Sequence, residues 1–282
     1  GQISSADYAS IQAAIDANPG EMIFVANGRH EIDKSLMITT ANAGLYGPGT
    51  IVQKNVNECL LRIMQTEGVR IEGLTFTRPE GATDTTQEGV FIRESSNVTL
   101  DGIRIIDNRG PGGSISAYKC ANLTIRDSFI ENYKSLFIDD RMKPEDLYGY
   151  AFQSIDGTGI KAFHNTGIVI RGNRVVESHF IPSKENVEKL GLGKITKVAE
   201  KLGRLAPVQD IKAGYTSNWH QGSAIIVGGL GHSNFTIIAE NYIENAAQGI
   251  DIHADNVTIS NNIVNGGIMG MKAMHGSRNV LI

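Results

Sequence analysis

The sequence of 282 residues has few of several features, and each shortage excludes a class of protein. Its two cysteines, Cys59 and Cys120, form neither a disulfide framework nor a zinc pattern, so we expect two buried apolar side chains. No apolar run approaches the roughly 20 residues of a membrane-spanning helix. A net charge of −4 is not the basic footprint that non-specific nucleic-acid binding needs. Only 7 prolines stand against 32 glycines, so the chain has many turns and few rigid breaks.

A short phrase recurs along most of the chain: a glycine or asparagine, an apolar residue, any residue, and a second apolar residue. It starts at Gly68, Asn97, Asn122, Gly167, Asn234, Asn256 and Asn279. Successive starts are separated by 29, 25, 45, 67, 22 and 23 residues. We interpret the interval of 45 as two turns of about 22 residues, and that of 67 as one turn plus a large insertion.

Another short run precedes most of these phrases and opens with glycine or serine. These runs start at Gly89, Ser114, Ser135, Gly159, Ser223, Gly249 and Gly270. Together with a further run after each phrase, they make three short strands per repeat, which predicts one triangular coil. Stacked coils put like residue above like, so the corner asparagines are expected to form a hydrogen-bonded ladder. The sequence therefore predicts an all-β fold, a parallel β-helix (solenoid), as a single domain over residues 1–282.

The ends and the insertion complete this prediction. Residues 7–16 are predicted to form a capping helix over the first coil, with Asp7 as its N-cap and Asn18 just beyond its end. The insertion at 179–220 is predicted to border the candidate groove and to contain a helix at 183–203. The chain stops at Ile282 inside a repeat phrase. We therefore expect that the native polypeptide continues into a C-terminal cap, or that another chain covers this end in an oligomer.

The alternation of side chains in a strand assigns two outward residues to each coil of one sheet. The predicted pairs are Phe91 and Arg93, Ser116 and Tyr118, Phe137 and Asp139, Lys161 and Phe163, Ile225 and Val227, Asp251 and His253, and Lys272 and Met274. Because neighbouring strands lie about 4.8 Å apart, Asp251 and Lys272 stand side by side. This face mixes charged, aromatic and apolar side chains, a mixture that suits the rings of a sugar polymer.

The candidate site residues come from this face and from the insertion beside it. The candidate catalytic residues are Asp251, His253 and Lys272. The candidate substrate-binding residues are Arg93, Tyr118, Asp139, Arg141, Lys161, Trp219 and His220. The alternative is a salt-bridged solvent face, in which cross-strand pairs contribute about 0.2–1 kcal/mol each.

The insertion indicates the charge of the ligand. Residues 183–212 carry seven basic and four acidic side chains. A basic segment beside a groove favours a polyanion, and Trp219, the single tryptophan, is suited to stack on a sugar ring. The alternative is a solvated helical arm that Trp219 pins to the solenoid.

Residues 5–32, SADYASIQAAIDANPGEMIFVANGRHEI, resemble the start of many pectate-lyase-like (pectin lyase-like) proteins, and the repeats from Gly68 to Ile282 resemble their later coils. The resemblance covers nearly all of the chain except about 180–220. It implies a right-handed parallel β-helix. It also implies action on carbohydrate, because this superfamily includes polysaccharide lyases, uronan epimerases, glycoside hydrolases and phage tailspikes. Fold alone does not choose among them.

Three positions carry a finer resemblance. Asp251 and His253 resemble the Asp-Pro-His element of mannuronan C5-epimerases, with Ile252 in place of the proline. Lys272, followed by His275 and Gly276, resembles the lysine and Arg/His-Gly region of alginate and chondroitin lyases. The adjacent Asp139 and Asp140 resemble the aspartate pair of polygalacturonases, whose other motifs are absent. The carboxylate cluster that binds calcium in pectate lyases is also absent from the sequence.

The first functional hypothesis is a lyase or C5-epimerase acting on a uronate-containing polysaccharide. Both reactions remove the proton α to a carboxylate, so they need positive charge and a positioned base. Arg93 or Lys161 would neutralise the carboxylate, and Lys272 or His253 would be the base. The alternatives are a glycoside hydrolase, with Asp139, Asp140 and Asp251 as its carboxyl groups, and a non-catalytic glycan-binding adhesion protein. We assign no cofactor or resident metal, leave Ca²⁺ open, and expect a secreted, periplasmic or cell-surface protein from which any export signal has been removed.

Overall fold

The computed structural model describes residues 1–141, 151–195, 211–212 and 214–282. Parallel strands stack coil upon coil and form three faces of a β-helix, which confirms the predicted fold class. We number the faces in the order in which each coil visits them. Face 1 carries the predicted outward pairs, face 2 the recurring phrases, and face 3 the runs that follow those phrases.

Face 2 is a ten-stranded sheet in which every pairing is parallel. Its strands are Ile3–Ser4, Met22–Phe24, Gly44–Tyr46, Arg70–Glu72, Ser96–Asp101, Ala121–Arg126, Thr166–Arg171, Asn234–Ala239, Asp255–Ser260 and Val280–Leu281.

Faces 1 and 3 are joined because the strands Tyr242–Ile252 and Ile263–Ala273 each run across both. The other strands of face 1 are Leu36–Ile38, Leu61–Met64, Val90–Arg93, Gly113–Tyr118, Thr158–Phe163 and Ser223–Gly228. The other strands of face 3 are Arg29–Ile32, Thr50–Gln53, Thr75–Thr77, Arg104–Ile106, Phe129–Glu131 and Arg174–Val176.

The interior is filled by columns of apolar side chains that repeat from coil to coil. On face 1 one such column runs Val90, Ile115, Ile160, Ile225 and Ile250, each paired with the next and each fully buried. The face-1 runs that open with Gly89, Gly159 and Gly249 begin where the backbones of adjacent coils approach closely. A Cβ added to Gly159 would lie 2.6 Å from the Ala224 carbonyl oxygen, which explains why small residues open these runs.

Stacked asparagines connect the coils, as predicted. The corner asparagines of the phrases hydrogen-bond one another at the surface, as in the 2.9 Å bond that Asn279 donates to Asn256. A second, buried ladder lies between faces 2 and 3. There Asn173 donates to Asn241, and Asn241 donates both to Asn262 and to the Ile170 carbonyl oxygen.

The N-terminal helix covers the first coil, but it begins later than predicted. It spans Ile11–Ala17, and Ser10 is its N-cap, accepting a hydrogen bond from the Ala13 amide. The prediction of Asp7 as N-cap was wrong, because residues Ser5–Asp7 form a separate 3-10 turn. Ile11 and Ile15 enter the core, so the helix closes this end of the solenoid.

The interval of 45 residues is one coil and not two. The strand Ala121–Arg126 pairs directly with Thr166–Arg171. The surplus residues include an antiparallel pair, Ser135–Asp140 with Ala151–Asp156, which we call the hairpin. Phe137 and Asp139 therefore lie on the hairpin and not on face 1. The prediction was wrong because the hairpin strand has the same alternation as a solenoid strand.

The predicted outward pair Ile225 and Val227 was also wrong by one residue. Both side chains are in the core, and Ile226 between them faces outward. The reason is that Ala224, not Ser223, occupies the place of the opening glycine, since Ile225 pairs with Ile160 and Ile250.

The second insertion is only partly described. Its helix spans Lys184–Leu190, with Ser183 as N-cap and Gly191 in the left-handed conformation at its end. The prediction of a helix over 183–203 was wrong beyond Leu190, because residues 191–195 form a turn followed by bridges to other strands. Lys197, Lys201 and Arg204 lie outside the described residues. After this helix, Ile195 forms an antiparallel bridge with Phe152 of the hairpin. Ile211–Lys212 and Tyr215–Thr216 form a short antiparallel strand pair within the insertion. The bridge of Ile195 to Phe152 ties the insertion to the hairpin. No helix in the described part of the chain has the length and apolar character to cross a membrane.

Both insertions leave the solenoid at the corner between faces 3 and 1. One buried polar cluster contains residues from three of the four points at which an insertion joins the solenoid. Lys134 precedes the hairpin, Glu177 precedes the second insertion, and His220 closes it. Lys134 is fully buried and its ammonium contacts His220 Nε2 and the Asn245 carbonyl oxygen. Glu177 accepts hydrogen bonds from the Lys134 amide and from Arg109, both at 3.0 Å.

His220, predicted to bind substrate, lies inside this cluster with 3% of its surface exposed. Burial and the charge of Lys134 lower the pKa of His220 to about 3. Its neighbour Trp219 stacks on it with the ring centroids 5.4 Å apart. The structure therefore gives His220 an anchoring position and leaves Trp219 partly accessible.

A first prediction tests the buried ladder. Replacing Asn241 by Ala leaves the Asn173 amide and the Ile170 carbonyl oxygen unpaired, which should reduce the free energy of unfolding by about 2–4 kcal/mol. The control is Asn234→Ala at the surface ladder, which should cost less than about 1 kcal/mol. Urea unfolding midpoints measure both, and equal midpoints would contradict the argument.

A second prediction concerns pH. Burial lowers the pKa of Lys134 to about 7, whereas an unfolded lysine titrates near 10.5. Between these values the unfolded lysine binds more protons than the folded one, so the contribution of Lys134 to wild-type stability should rise with pH from about 7 to 9.5. Lys134→Met should lose this rise, and Lys184→Met on the exposed helix should keep it. Thermal unfolding across this pH range measures the slopes, and parallel curves for wild type and Lys134→Met would refute the prediction.

Candidate functional site

Face 1 presents two outward rows of side chains that cross successive coils. The strand register gives the first row as Arg62, Phe91, Ser116, Lys161, Ile226, Asp251 and Lys272. The second row contains Met64, Arg93, Tyr118, Phe163 and Gly228. Asp251 points away from the core, as predicted, because Ile250 and Ile252 on either side of it are buried there, and its pairing with Lys272 gives Lys272 the same orientation.

Asp251 is the centre of the candidate site. His253 Nε2 lies 2.7 Å from Asp251 Oδ1, and Lys272 Nζ lies 3.4 Å from Asp251 Oδ2. Ser223 Oγ adds a contact of 3.5 Å to Oδ2. These neighbours cover the carboxylate, so Asp251 is only 4% exposed although it points away from the core. The His253 contact is an ion-pair approach and not an aligned hydrogen bond.

His253 and Lys272 remain accessible above this carboxylate, since each side chain is 20% exposed. His253 also stacks on His275, with the ring centroids 4.7 Å apart. His275 belongs to the next coil, where its positive φ of 56° turns the chain out of face 1. The arrangement therefore offers an imidazole and an ammonium side by side, with one carboxylate held beneath both.

The candidate binding residues Arg93, Tyr118 and Lys161 lie on the same face, several coils towards the N-terminus. The Arg93 guanidinium lies 5.7 Å from the centre of the Tyr118 ring, and Lys161 Nζ lies 5.3 Å from that of Phe163. Both are cation–π distances. Cations over aromatic rings form a surface with apolar area and positive charge, which matches the mixture predicted from the sequence.

Asp139 and Arg141 lie apart from this face, on the hairpin. They pair with each other, with Arg141 Nη2 3.2 Å from Asp139 Oδ2. The prediction that Asp139 lies on the coil next to that of Lys161 was wrong, because the hairpin does not belong to a coil. Both residues still lie on an element that leaves the solenoid beside face 1.

Asp156, at the end of the hairpin, was not predicted as a site residue. A Cβ added to Gly222 would lie 2.8 Å from Asp156 Oδ1, and the next residue, Ser223, contacts Asp251. Burial, and to a lesser degree the charge of Asp139, raise the pKa of Asp156, whereas the Gly157 amide, Lys134 and Lys161 lower it. An Asp-Gly pair before a strand is typical of an ordinary turn, and nothing local signals this position.

Further histidines line the edge of face 1. The His164 ring lies 5.2 Å from Tyr118 and 5.3 Å from His232, measured between centroids. His164, His232 and His275 are not among the candidate site residues that the sequence predicts. Their common signal is a position one or a few residues after a face-1 strand. Within the described residues, no group of three or more histidine, cysteine, aspartate or glutamate side chains is arranged to hold a metal ion.

Comparison with solved structures agrees with this architecture. An endo-xylogalacturonan hydrolase from Aspergillus tubingensis matches at a TM-score of 0.55 and 12% identity, covering 95% of this chain and 73% of that one. The Dettilon tailspike protein matches at 0.53 and 12%, covering 94% and 43%. The catalytic domain of an alpha-1,3-glucanase in complex with tetrasaccharides matches at 0.51 and 13%, covering 99% and 58%. At these identities the likeness is one of fold.

No curated protein matches the sequence significantly. The family model described as right handed beta helix region matches residues 14–180, more than half of the chain. This match agrees with the handedness that the resemblance implied and with the stacked parallel strands of the structure. The chain therefore belongs to the right-handed β-helix family.

Proposed function

We propose that this protein is an enzyme that acts on an acidic, uronate-containing polysaccharide by removing the proton α to the uronate carboxylate. The observation that carries the proposal is the group of His253 and Lys272 above the covered carboxylate of Asp251, on an otherwise open face. Proton removal of this kind needs a base and positive charge near the developing carbanion, and these side chains supply both.

In this proposal the three residues have distinct roles. His253 takes the proton, and Asp251 stabilises the imidazolium that forms. Lys272 lies on the coil next to Asp251 and brings positive charge to the substrate carboxylate, which lowers the barrier. A lyase then breaks the bond to the 4-linked sugar and leaves a conjugated double bond. An epimerase returns a proton to the opposite side of the same carbon.

The charge and length of face 1 support an anionic polymer as the substrate. The two rows contain Arg62, Arg93, Lys161 and Lys272, against one carboxylate, Asp251, on a chain whose net charge is −4. From Phe91 to Lys272 the first row crosses five strand spacings, about 24 Å at ~4.8 Å each. That length accommodates several sugar residues along the solenoid. The names of the similar hydrolase and glucanase structures also point to polysaccharides at the level of the fold.

A second candidate function is hydrolysis of a glycosidic bond, and Asp156 is the observation that favours it. A carboxyl group whose pKa is raised suits a general acid. Gly222 lies beside Asp156 and the next residue, Ser223, contacts Asp251, so the two carboxyl groups border the same short segment. An inverting hydrolase uses two carboxyl groups that flank the scissile bond. Hydrolysis yields new reducing ends without a double bond, so the product distinguishes the two functions.

The third prediction tests the proposed chemistry with a panel of alginate, pectin and glycosaminoglycans. Ultraviolet absorbance follows the conjugated double bond, and proton exchange at C5 follows epimerisation. His253→Gln and Lys272→Ala should each lower turnover about 10²-fold or more, the usual contribution of acid–base catalysis. His232→Gln, a histidine on the same edge outside the group, should retain wild-type turnover.

Three other outcomes would reject the proton-removal proposal. Full activity in both variants would leave the group of Asp251, His253 and Lys272 as a surface ion cluster. Reducing ends without unsaturated product, lost in Asp156→Asn, would establish the hydrolase instead. Binding without turnover of any polymer would identify a glycan-binding adhesion protein.

The fourth prediction concerns affinity. Binding of a uronate polymer to face 1 should weaken as salt rises, because ions screen exposed charges. Arg93→Gln should weaken binding by up to about fivefold, since an exposed ion pair contributes up to about 1 kcal/mol. Arg104→Gln removes the same charge from face 3 and should bind like wild type. Calorimetric titration at two salt concentrations measures this, and preference for a neutral glycan would contradict it.

A further inference from the structure

Arg78 is a buried cation at the same corner from which both insertions leave, nearer the N-terminus. It directly follows the face-3 strand Thr75–Thr77 and is 2% exposed. Its Nε donates to Asn108 Oδ1 at 3.0 Å, and its Nη1 donates to the Asn55 carbonyl oxygen at 2.9 Å. Both acceptors are neutral. Within the described residues no carboxylate lies within ion-pair distance of this guanidinium.

A second buried arginine, Arg109, lies at the same corner one coil further along and can be compared with Arg78. Arg109 is 5% exposed at this corner, and Glu177, a fully buried carboxylate, pairs with it at 3.0 Å. A buried charge without a partner is strongly unfavourable, so such charges are normally paired. The corner therefore compensates one buried arginine with a carboxylate and the other only with neutral oxygens.

In the described part of the chain, three buried polar atoms at or near this corner lack a partner, and all three are able to donate. Among the described residues, Arg78 Nη2, Asn108 Nδ2 and Thr85 Oγ1 are buried without a hydrogen-bond partner. Asn108 contacts Arg78 directly. Thr85 packs against the segment after Asn108, since a Cβ added to Gly110 would lie 2.8 Å from the Thr85 carbonyl oxygen. Two of these three atoms are donors only, and the third is a hydroxyl that can donate.

We infer that Arg78, Asn108 and Thr85 form an internal binding site for a small monovalent anion of halide size. The site is distinct from face 1, and its occupant would supply the negative charge that Glu177 supplies to Arg109. A cation is excluded by the guanidinium and by the donors. A water molecule would satisfy the unpartnered donors but would leave the charge of the buried guanidinium uncompensated. By linking residues of two successive coils, a bound anion would stabilise this corner.

The experiment uses the full chain and halides as the probes. Thermal unfolding is measured in sodium chloride, sodium bromide and sodium gluconate at equal ionic strength, gluconate being too large to enter. The halides should raise the wild-type midpoint by about 2–4 °C, the scale of mass-action stabilisation for a domain of this size. Crystals grown in bromide should give an anomalous peak in contact with Arg78 and Asn108.

The deciding variant is Asn108→Asp. This substitution keeps an oxygen that accepts from Arg78 Nε and replaces the unpartnered Asn108 Nδ2 by a second carboxylate oxygen. The carboxylate of the variant then supplies the negative charge that a bound halide would supply in the wild type. The variant should fold, and its midpoint should no longer respond to halide. Asn57→Asp adds the same charge at an exposed position on the neighbouring turn and should keep the wild-type response.

Several results would overturn the inference. An equal halide response in wild type and Asn108→Asp would mean a general salt effect. A bromide peak without any response in solution would mean an adventitious ion only, and a water molecule in place of bromide would mean simple hydration. If Asn108→Asp fails to fold, the bromide crystals of the wild type still decide between anion and water.

Discussion

The structure depends on the parallel hydrogen bonding of each coil to the next. This pairing repeats the backbone at the strand spacing of about 4.8 Å, so each residue lies directly above its equivalent in the previous coil. The result is visible in the core, where Ile160, Ile225 and Ile250 form one continuous column. The same rule acts on the outside. Asp251 stands between Ile226 and Lys272 because the register of face 1 requires it, and not because those side chains attract one another.

One corner of the solenoid departs from the apolar interior. Between faces 3 and 1 the buried positions include Arg78, Arg109, Lys134 and Glu177. Polar side chains can be buried there because the chain leaves the solenoid at this corner, and backbone groups of the departing segments need partners. Glu177, for example, also accepts from the amides of His179 and Phe180, the first residues of the second insertion.

This arrangement bears on function because it sets the border of face 1. The hairpin and the second insertion bridge to one another through Phe152 and Ile195 and return to the solenoid near Asp156 and His220. The buried cluster around Lys134 and Glu177 stays rigid only while its polar groups remain paired. The position of the hairpin and the second insertion beside face 1 therefore depends on those contacts. The candidate site is thus built from two kinds of element. Its reactive side chains lie on strands of the solenoid, and its flank comes from inserted segments.

Local sequence was sufficient for most of the repeating part of this fold, although the runs at Ser223 and Asn234 lie one residue off the predicted register. Phrases such as Asn256-Val-Thr-Ile encode a corner in the left-handed region followed by two inward residues, and both signals act over a few residues. Alternation alone placed Asp251, His253 and Lys272 on one outward face. The capping helix was also readable, although its first residue was not, since serine and aspartate are comparable N-caps.

Tertiary structure decided everything that depends on which segments pair across long distances. Alternation in Ser135–Asp140 is the same for a hairpin as for a coil, so only the pairing partner excludes this strand from face 1. His220 reads as a neighbour of an exposed tryptophan, yet it lies buried against Lys134, 86 residues away. The covering of Asp251 and the unpaired donors at Arg78 have the same origin. A polar side chain is buried or exposed, paired or unpaired, according to neighbours that only the stacked coils bring to it.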